Sequence, residues 1–171
     1  MESLVINVNL KLKNIYPEYE DDVYISLIDY IVEKNVDYID ITNVKEITME
    51  ANPGEAPRQR LNQFRNLGIN RLSIGFQSLQ SQLLTSLSRI HSSKDCFKTY
   101  EDARNAGFDN INVDMIFNIP GQSLEVFQDD LKQVVEIAPE HISAYSLTVE
   151  PSTKLFNLVK NIFYIFIRAC I

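Results

Sequence analysis

Three polar side chains stand at or near the ends of apolar runs, where they could bind a ligand. Glu50 precedes an Asn-Pro-Gly turn, Gln77 follows closely on a glycine, and Asp114 lies within an alternating run. A carboxylate at a strand end can accept hydrogen bonds from ligand hydroxyls, and a Gln amide can both donate and accept. Taken alone, Glu50 is more typical of a solvated turn, and the Gly-Phe-Gln segment fits packing and binding about equally. Together the three residues favour the binding of a polar small molecule.

Asp114 belongs to a run that predicts a buried strand, Asn110 to Phe117, ended by a Pro-Gly turn. Apolar and polar residues alternate in the run, and helical patterns flank it, so we expect a parallel strand covered by helices. A carboxylate inside such a layer requires a basic partner or a ligand. Arg89 and His91 are candidate cationic partners, although both also fit a solvated helix end. No spacing indicates a catalytic triad, an acid pair or a metal site, and no catalytic residue is assigned.

The middle of the chain alternates between strand and helix patterns. Strands are predicted at 45–50, 71–77, 110–117 and 141–149, and helices at 57–67, 79–87, 94–106 and 124–137. The strand ends recur roughly every 30 residues, which is typical of strand-helix-strand units and predicts a parallel sheet. Such a sheet is either doubly wound or closed as a barrel. Because three strands share a polar face opposite an apolar one, the pattern favours a barrel with a ligand-filled or hydrated interior.

Both ends of the chain differ from this repeat. Residues 4–12 alternate like a half-exposed strand and 18–34 like an amphipathic helix. The apolar stretch after Leu155 is interrupted by Lys160 and Arg168 and is shorter than the ~20 residues a membrane-spanning helix needs. We therefore divide the chain into an atypical N-terminal segment (1–44), a partial barrel (45–153) and an apolar C-terminal tail (154–171).

The composition narrows the class of protein. The chain has 171 residues, a net charge of −7 and two cysteines. An acidic balance argues against a nucleic-acid binder, and two cysteines are too few for a disulfide framework. No signal peptide is recognisable at the start. These features predict a cytoplasmic protein, or a mitochondrial one if the source is eukaryotic, without a membrane span.

Five motifs in order resemble the radical S-adenosylmethionine (SAM) proteins related to oxygen-independent coproporphyrinogen III oxidase. They are Glu-Ala-Asn-Pro-Gly at 50–54, Asn-Arg-Leu-Ser-Ile-Gly-Phe-Gln-Ser at 70–78, Leu-Ser-Arg-Ile-His at 87–91, the stretch from Ala106 to Gln122, and Glu-His-Ile-Ser-Ala-Tyr-Ser-Leu-Thr-Val-Glu-Pro at 140–151. The last motif is similar to the HemW branch, the haem chaperones.

The resemblance implies an α/β fold, a partial (βα)6 TIM-like barrel that retains the last four strand-helix units. It also implies S-adenosylmethionine as cofactor, a 4Fe-4S cluster in the family, and a role in porphyrin biosynthesis or haem delivery. The residues that correspond to the cofactor contacts of the family are Glu50 (at the ribose), Gln77, Arg89, Asp114 and Ala144.

Two family features are missing from this sequence. The C-x-x-x-C-x-x-C loop that holds the cluster is absent, and so is a Gly-Gly-Gly-Thr-Pro segment. We therefore expect a fragment that keeps the adenosine side of the site and does not perform radical chemistry, which leaves enzyme status open. The alternatives are a non-catalytic haem- or nucleoside-binding protein and, less favoured because no phosphate loop is found, a barrel enzyme acting on a phosphorylated sugar.

Overall fold

The sheet of the computed structural model is built from parallel strands, and the structure describes residues 4–5, 45–148 and 156. The elements in chain order are β1 (Leu4–Val5), β2 (Ile47–Ala51), α1 (Arg58–Asn66), β3 (Arg71–Gln77), α2 (Ser81–Ser86), α3 (Ser93–Asn105), β4 (Ile111–Phe117), α4 (Leu124–Glu136) and β5 (His141–Ser146). A helix or a helix pair connects each strand from β2 onward to the next, as parallel pairing requires. The predicted α/β class is confirmed, with the four predicted parallel strands and the helices that connect them.

The strands lie in the sheet in their chain order, and every described pairing is parallel. β1 pairs with β2 at one edge, with Leu4 opposite Ile47. The sequence predicted a half-exposed strand here that would not be central, and its continuation to residue 12 lies outside the described residues. β5 forms the other edge of the described sheet.

The apolar face of the sheet packs against the helices and forms the core. Strand side chains on this face are fully buried, as the alternating pattern predicted: Met49, Leu72, Ile74, Phe76, Ile111, Val113 and Met115. The helices and loops contribute Leu61, Phe64, Ala103 and Phe108 to the same cluster. Hydrophobic burial on this side therefore fixes which face of each strand remains for polar residues.

The helix ends follow local sequence signals. Ser92 caps α3 through a capping box, in which its side chain accepts from the Asp95 amide and Asp95 accepts in return. Gly68 and Gly107 follow α1 and α3 with φ of +93° and +86°, a conformation that glycine adopts without strain. Each glycine directly follows one of the helices predicted at 57–67 and 94–106, and both helices end before it in the structure.

Two predicted elements are shorter in the structure by three residues each. The helix expected at 79–87 spans only Ser81–Ser86: the Leu79 amide donates to Asp130, Gln80 is the N-cap with an extended backbone, and Leu87 is the C-cap. The strand expected at 141–149 ends at Ser146. Val149 lies outside the described residues.

The predicted helix at 18–34 and, apart from Phe156, the apolar tail at 154–171 also lie outside the described residues. Among the residues that are described, no helix combines the length and the apolar character needed to cross a membrane.

Removing a side chain from the middle of this core tests the packing directly. Leu72 is fully buried, whereas Leu124 at the start of α4 is 65% exposed. We expect Leu72→Ala to lower the free energy of unfolding by about 2–5 kcal/mol, because it removes buried methyl groups and leaves a cavity. Urea denaturation followed by circular dichroism measures the change. The matched control Leu124→Ala should stay within about 0.5 kcal/mol of the parent, and equal losses from the two substitutions would contradict the described packing.

Candidate functional site

One face of the sheet lies opposite the helices and is here called the inner face. The strand register arranges polar residues and one glycine on this face in two rows. The first row is Glu50, Ser73, Asn112 and His141. The second row is Gly75, Asp114 and Ser143. The first row begins β5 and lies early in β4, whereas the second row lies in the middle of its strands. The second row is therefore the nearer to the carboxyl ends of the parallel strands, where ligands bind in barrels and in open α/β sheets.

Asp114 lies at the centre of a hydrogen-bonded cluster on the inner face. Ser73 Oγ donates to Asp114 Oδ2 at 2.7 Å, and Asn112 Nδ2 donates to Asp114 Oδ1 at 2.8 Å. The Asn112 amide also donates to Ser73 Oγ at 2.8 Å and accepts from Ser143 Oγ at 2.9 Å. The carboxylate is thus held by neutral donors from its own strand and from β3.

This arrangement corrects the predicted partner of Asp114. Neither Arg89 nor His91 bonds it, because Arg89 Nη1 donates to Asn52 Oδ1 at 2.9 Å and His91 Nε2 contacts the Phe76 carbonyl at 3.2 Å. A hydroxyl and an amide are sufficient because Asp114 is only half-buried, so water or a ligand reaches it. An ionised carboxylate can accept about four hydrogen bonds. Asp114 therefore keeps acceptor capacity for a ligand donor.

Gln77, at the end of β3, has a φ of +65°. Its side chain is buried and folds back over Gly75, so that a Cβ built on the glycine would lie 2.6 Å from Gln77 Nε2. Glycine is therefore required at 75 for the amide of Gln77 to occupy this place. The sequence predicted both residues for the site, and the structure brings them together.

Glu50 and Ala144 occupy different positions from the Asp114 cluster. Glu50 is exposed at the end of β2, in the first row of the inner face. Ala144 pairs with Met115, which puts its side chain on the opposite face from Asp114. Only the backbone of Ala144 can therefore contribute to a ligand on the inner face, and its assignment, like that of Glu50, stays a prediction.

Arg89 and His91 line a cavity beside the inner face, next to the loop that follows β2. A cavity of about 410 Å³ is bounded by Asn52, Pro53, Glu55 and the loop 87–91. Asn52 connects this cavity to the inner face, since its Oδ1 accepts from Arg89 and would lie 3.7 Å from a Cβ on Gly75. Arg89 therefore adjoins the predicted site and lies beyond the end of β2 rather than on Asp114.

Ser73 and Ser143 belong to the cluster although the sequence did not assign them to the site. Ser73 pairs with Glu50 and Ser143 pairs with Asp114, so each serine lies one strand away from a predicted site residue. Alternation alone places Ser73 on the polar face. Their pairing with Asp114 and Asn112 depends on the register between strands, which no local pattern specifies.

The described residues do not fit a metal or cluster site. No group of three or more His, Cys, Asp or Glu side chains that could hold a metal ion occurs among residues 45–148. Cys96 is fully buried in the core, and burial raises the pKa of its thiol to about 12. It is a protonated packing residue at neutral pH, and Cys170 lies outside the described residues.

Comparison with protein families gives a match to the radical SAM superfamily over residues 14–134. The match begins inside the segment 1–44 that the sequence suggested was atypical. The division of the chain into three parts stays a prediction.

Several curated proteins are similar in sequence. The heme chaperone HemW of Bacillus subtilis is 38% identical over 119 residues, which cover 70% of this chain and 31% of that protein. HemW of Escherichia coli is 42% identical over 108 residues, covering 63% and 29%. The mitochondrial radical S-adenosyl methionine domain-containing protein 1 of Mus musculus is 40% identical over 115 residues, covering 67% and 26%. The chain thus spans about a third or less of the length of these relatives.

Solved structures share the fold. Coproporphyrinogen III oxidase (HemN) of Escherichia coli superposes with a TM-score of 0.64 at 24% identity, covering 83% of this chain and 37% of the enzyme. Methylornithine synthase (PylB) gives a TM-score of 0.63 at 16% identity, covering 79% and 39%. At these identities the likeness concerns the fold alone.

The buried imidazole beside the site predicts a pH dependence of stability. The pKa of His91 is lowered from its ordinary value of 6.5, chiefly by burial and also by Arg89, while the Phe76 carbonyl, Asp95 and Glu55 oppose the shift. The unfolded chain therefore takes up a proton at a higher pH than the folded one, so stability falls as the pH decreases from about 6.5 towards the lowered pKa.

We expect urea midpoints to decrease between about pH 7.5 and 5.5 in the parent and to decrease less in His91→Gln, which keeps a donor for the Phe76 carbonyl. The control His141→Gln removes an exposed imidazole and should keep the parental slope. Equal slopes in the parent and His91→Gln would contradict the assignment.

Proposed function

Because the chain belongs to the radical SAM superfamily, we propose that its inner face binds the adenosyl part of S-adenosylmethionine, and that it is a HemW-like protein concerned with haem biosynthesis or haem delivery. The observation that carries the proposal is the hydrogen-bonded cluster around Asp114, which keeps spare acceptor capacity on the polar inner face of the parallel sheet. The role in haem delivery is inferred from the names of longer relatives, which are called heme chaperones.

The residues present fit the nucleoside part of this cofactor. Gly75 leaves room for the Gln77 amide to lie over the backbone of β3, so a ligand at this place meets a group that can form hydrogen bonds. The carboxylates of Glu50 and Asp114 accept hydrogen bonds from hydroxyl or amino groups, and the amide of Gln77 both donates and accepts. Arg89 supplies a positive charge at the adjoining cavity. Together these groups suit a polar ligand with a planar base, a sugar and an amino-acid end.

The residues present do not fit the 4Fe-4S cluster of the family. The sequence has two cysteines, and the one that the structure describes is a buried thiol in the core. A cluster of this kind is held by several thiolates. We therefore propose that the chain as it stands retains the adenosyl side of the site and does not itself cleave the cofactor reductively.

A second candidate function is haem binding without radical chemistry. The names of the bacterial relatives support it, since they are called heme chaperones. On this chain, His141 is exposed in the first row of the inner face, and an accessible imidazole can coordinate haem iron. This function would need no thiolate ligands.

We also propose a cytoplasmic location or, in a eukaryote, a mitochondrial one, by analogy with the relatives named as mitochondrial proteins in Danio rerio and Mus musculus. The partners in the proposal are the small-molecule cofactor and haem, with no nucleic acid.

Binding of S-adenosylhomocysteine tests the first function, since this probe contains the adenosyl group and needs no cluster for its nucleoside contacts. We expect saturable binding by isothermal titration calorimetry, and a loss of affinity of about tenfold or more in Asp114→Ala, because a hydrogen bond to a charged group is worth roughly 1.5–3 kcal/mol.

The control Asp109→Ala removes an exposed carboxylate from the loop before β4, at the opposite end of that strand, and should bind like the parent. Circular dichroism checks that each variant is folded. Absence of saturable binding by the parent, or unchanged affinity in a folded Asp114→Ala variant, would refute the proposed site.

A parallel titration with haemin separates the two candidates. Saturable haemin binding that is lost in His141→Ala, together with no binding of S-adenosylhomocysteine, would favour the second function over the first.

A further inference from the structure

The backbone at Gln77 adopts a rare conformation. The Ser78 amide donates to the Phe76 carbonyl at 2.8 Å, which closes a γ-turn with Gln77 at its centre, and the φ of Gln77 is +65°. A γ-turn with positive φ is strained for any residue with a side chain, and glycine would relieve the strain. A glutamine here means that surrounding contacts hold the turn.

Those contacts come from a buried carboxylate on another strand-helix unit. Asp130, in the middle of α4, is fully buried and accepts from Ser78 Oγ at 2.7 Å, from the Leu79 amide at 3.0 Å and from Gln80 Nε2 at 2.6 Å. The donors belong to the three residues that immediately follow Gln77. The three hydrogen bonds that this buried carboxyl group accepts are therefore all directed at one short segment.

The other side of the turn is held as well. The Phe76 carbonyl, which accepts the γ-turn hydrogen bond, also contacts His91 Nε2 at 3.2 Å. His91 thus holds the carbonyl before Gln77, and Asp130 holds the Ser78 hydroxyl and the Leu79 amide after it. Between these held groups, the Gln77 side chain lies with its amide over Gly75 on the inner face.

Helix initiation alone does not account for Asp130. A residue that only capped α2 would need to satisfy the amides of its first turn. Instead, the carboxylate accepts from a hydroxyl, a side-chain amide and the Leu79 amide, all from residues before the helix begins at Ser81. The contacts therefore restrain the chain between Gln77 and the helix.

We propose that Asp130 is a positioning residue, which holds the γ-turn at Gln77 and so presents the amide of Gln77 to a ligand at the strand ends. The ligand part of this inference rests on the function proposed above. The clamp itself, Asp130 with Ser78 and Leu79, stands on geometry and can be tested without any ligand.

A double-mutant cycle on stability tests the clamp. Gln77→Gly should raise the urea midpoint in the parent or leave it unchanged, because glycine adopts the positive φ without strain. In an Asp130→Ala background the turn is free to relax, so the same substitution should lower the midpoint. If Asp130→Ala does not fold, Ser78→Ala serves as the background, since it removes one of the clamp contacts. An effect of Gln77→Gly that is equal in both backgrounds would overturn the clamp.

Affinity for S-adenosylhomocysteine tests the positioning role. Asp130→Ala or Ser78→Ala should lose about tenfold or more in affinity at a temperature where each is folded, because a displaced contact group binds poorly. Asp130→Asn should keep most of the affinity: its Oδ1 can accept from Ser78 and Leu79, and the Gln80 amide can rotate to face its Nδ2. The control Asp129→Ala removes the adjacent, exposed carboxylate of α4, which accepts from Gln133 and does not contact the turn.

The possible failures are distinguishable. An additive stability cycle overturns the clamp whether or not the probe binds. Coupling in the cycle with parental affinity in both Asp130→Ala and Ser78→Ala overturns the positioning role and leaves the proposed function intact. Absence of probe binding by the parent overturns the proposed function and the positioning role together.

Discussion

The parallel register between β3 and β4 is the constraint on which the inner face depends. It sets Ser73 opposite Asn112 and Gly75 opposite Asp114, so that a hydroxyl and a carboxylate from different strands meet at 2.7 Å. The apolar faces of the same strands are fully buried under the helices, and a slip by one residue would turn Asp114 into the core. Hydrophobic burial on one side of the sheet therefore enforces polar contacts on the other.

The inner face combines fixed groups with one strained segment. Asp114 is fixed by hydrogen bonds from its neighbours on the sheet, whereas Gln77 is held by Asp130 and His91, which approach from α4 and from the loop before α3. A polar ligand at this edge would meet side chains whose positions are set before it arrives, which reduces the entropic cost of binding. This fits the adenosyl part of a cofactor better than a site built from mobile surface residues.

Much of the fold could be predicted from the sequence because it follows from local patterns. Alternation identified the strands and their buried faces, and Gly68 and Gly107 marked helix ends with positive φ. The partner of Asp114 could not be predicted, since it depends on strand register and on how much of the carboxylate is exposed. The role of Asp130 was not visible either: in the sequence it is one polar residue of an amphipathic helix, and only packing brings it to Ser78. Contacts between distant segments are what local periodicity leaves undetermined.

The function proposed above puts the adenosyl group on the inner face of β3 and β4, near Gln77 and Asp114. Titration of the ¹⁵N-labelled chain with S-adenosylhomocysteine, followed by amide chemical shifts, tests it most directly. We expect the largest changes at Gln77, Ser78 and the residues around Asp114, and little change at Asn70 and Asp109, which precede the same strands. Changes confined to the amino-terminal ends of the strands, or no changes at saturating probe, would contradict it.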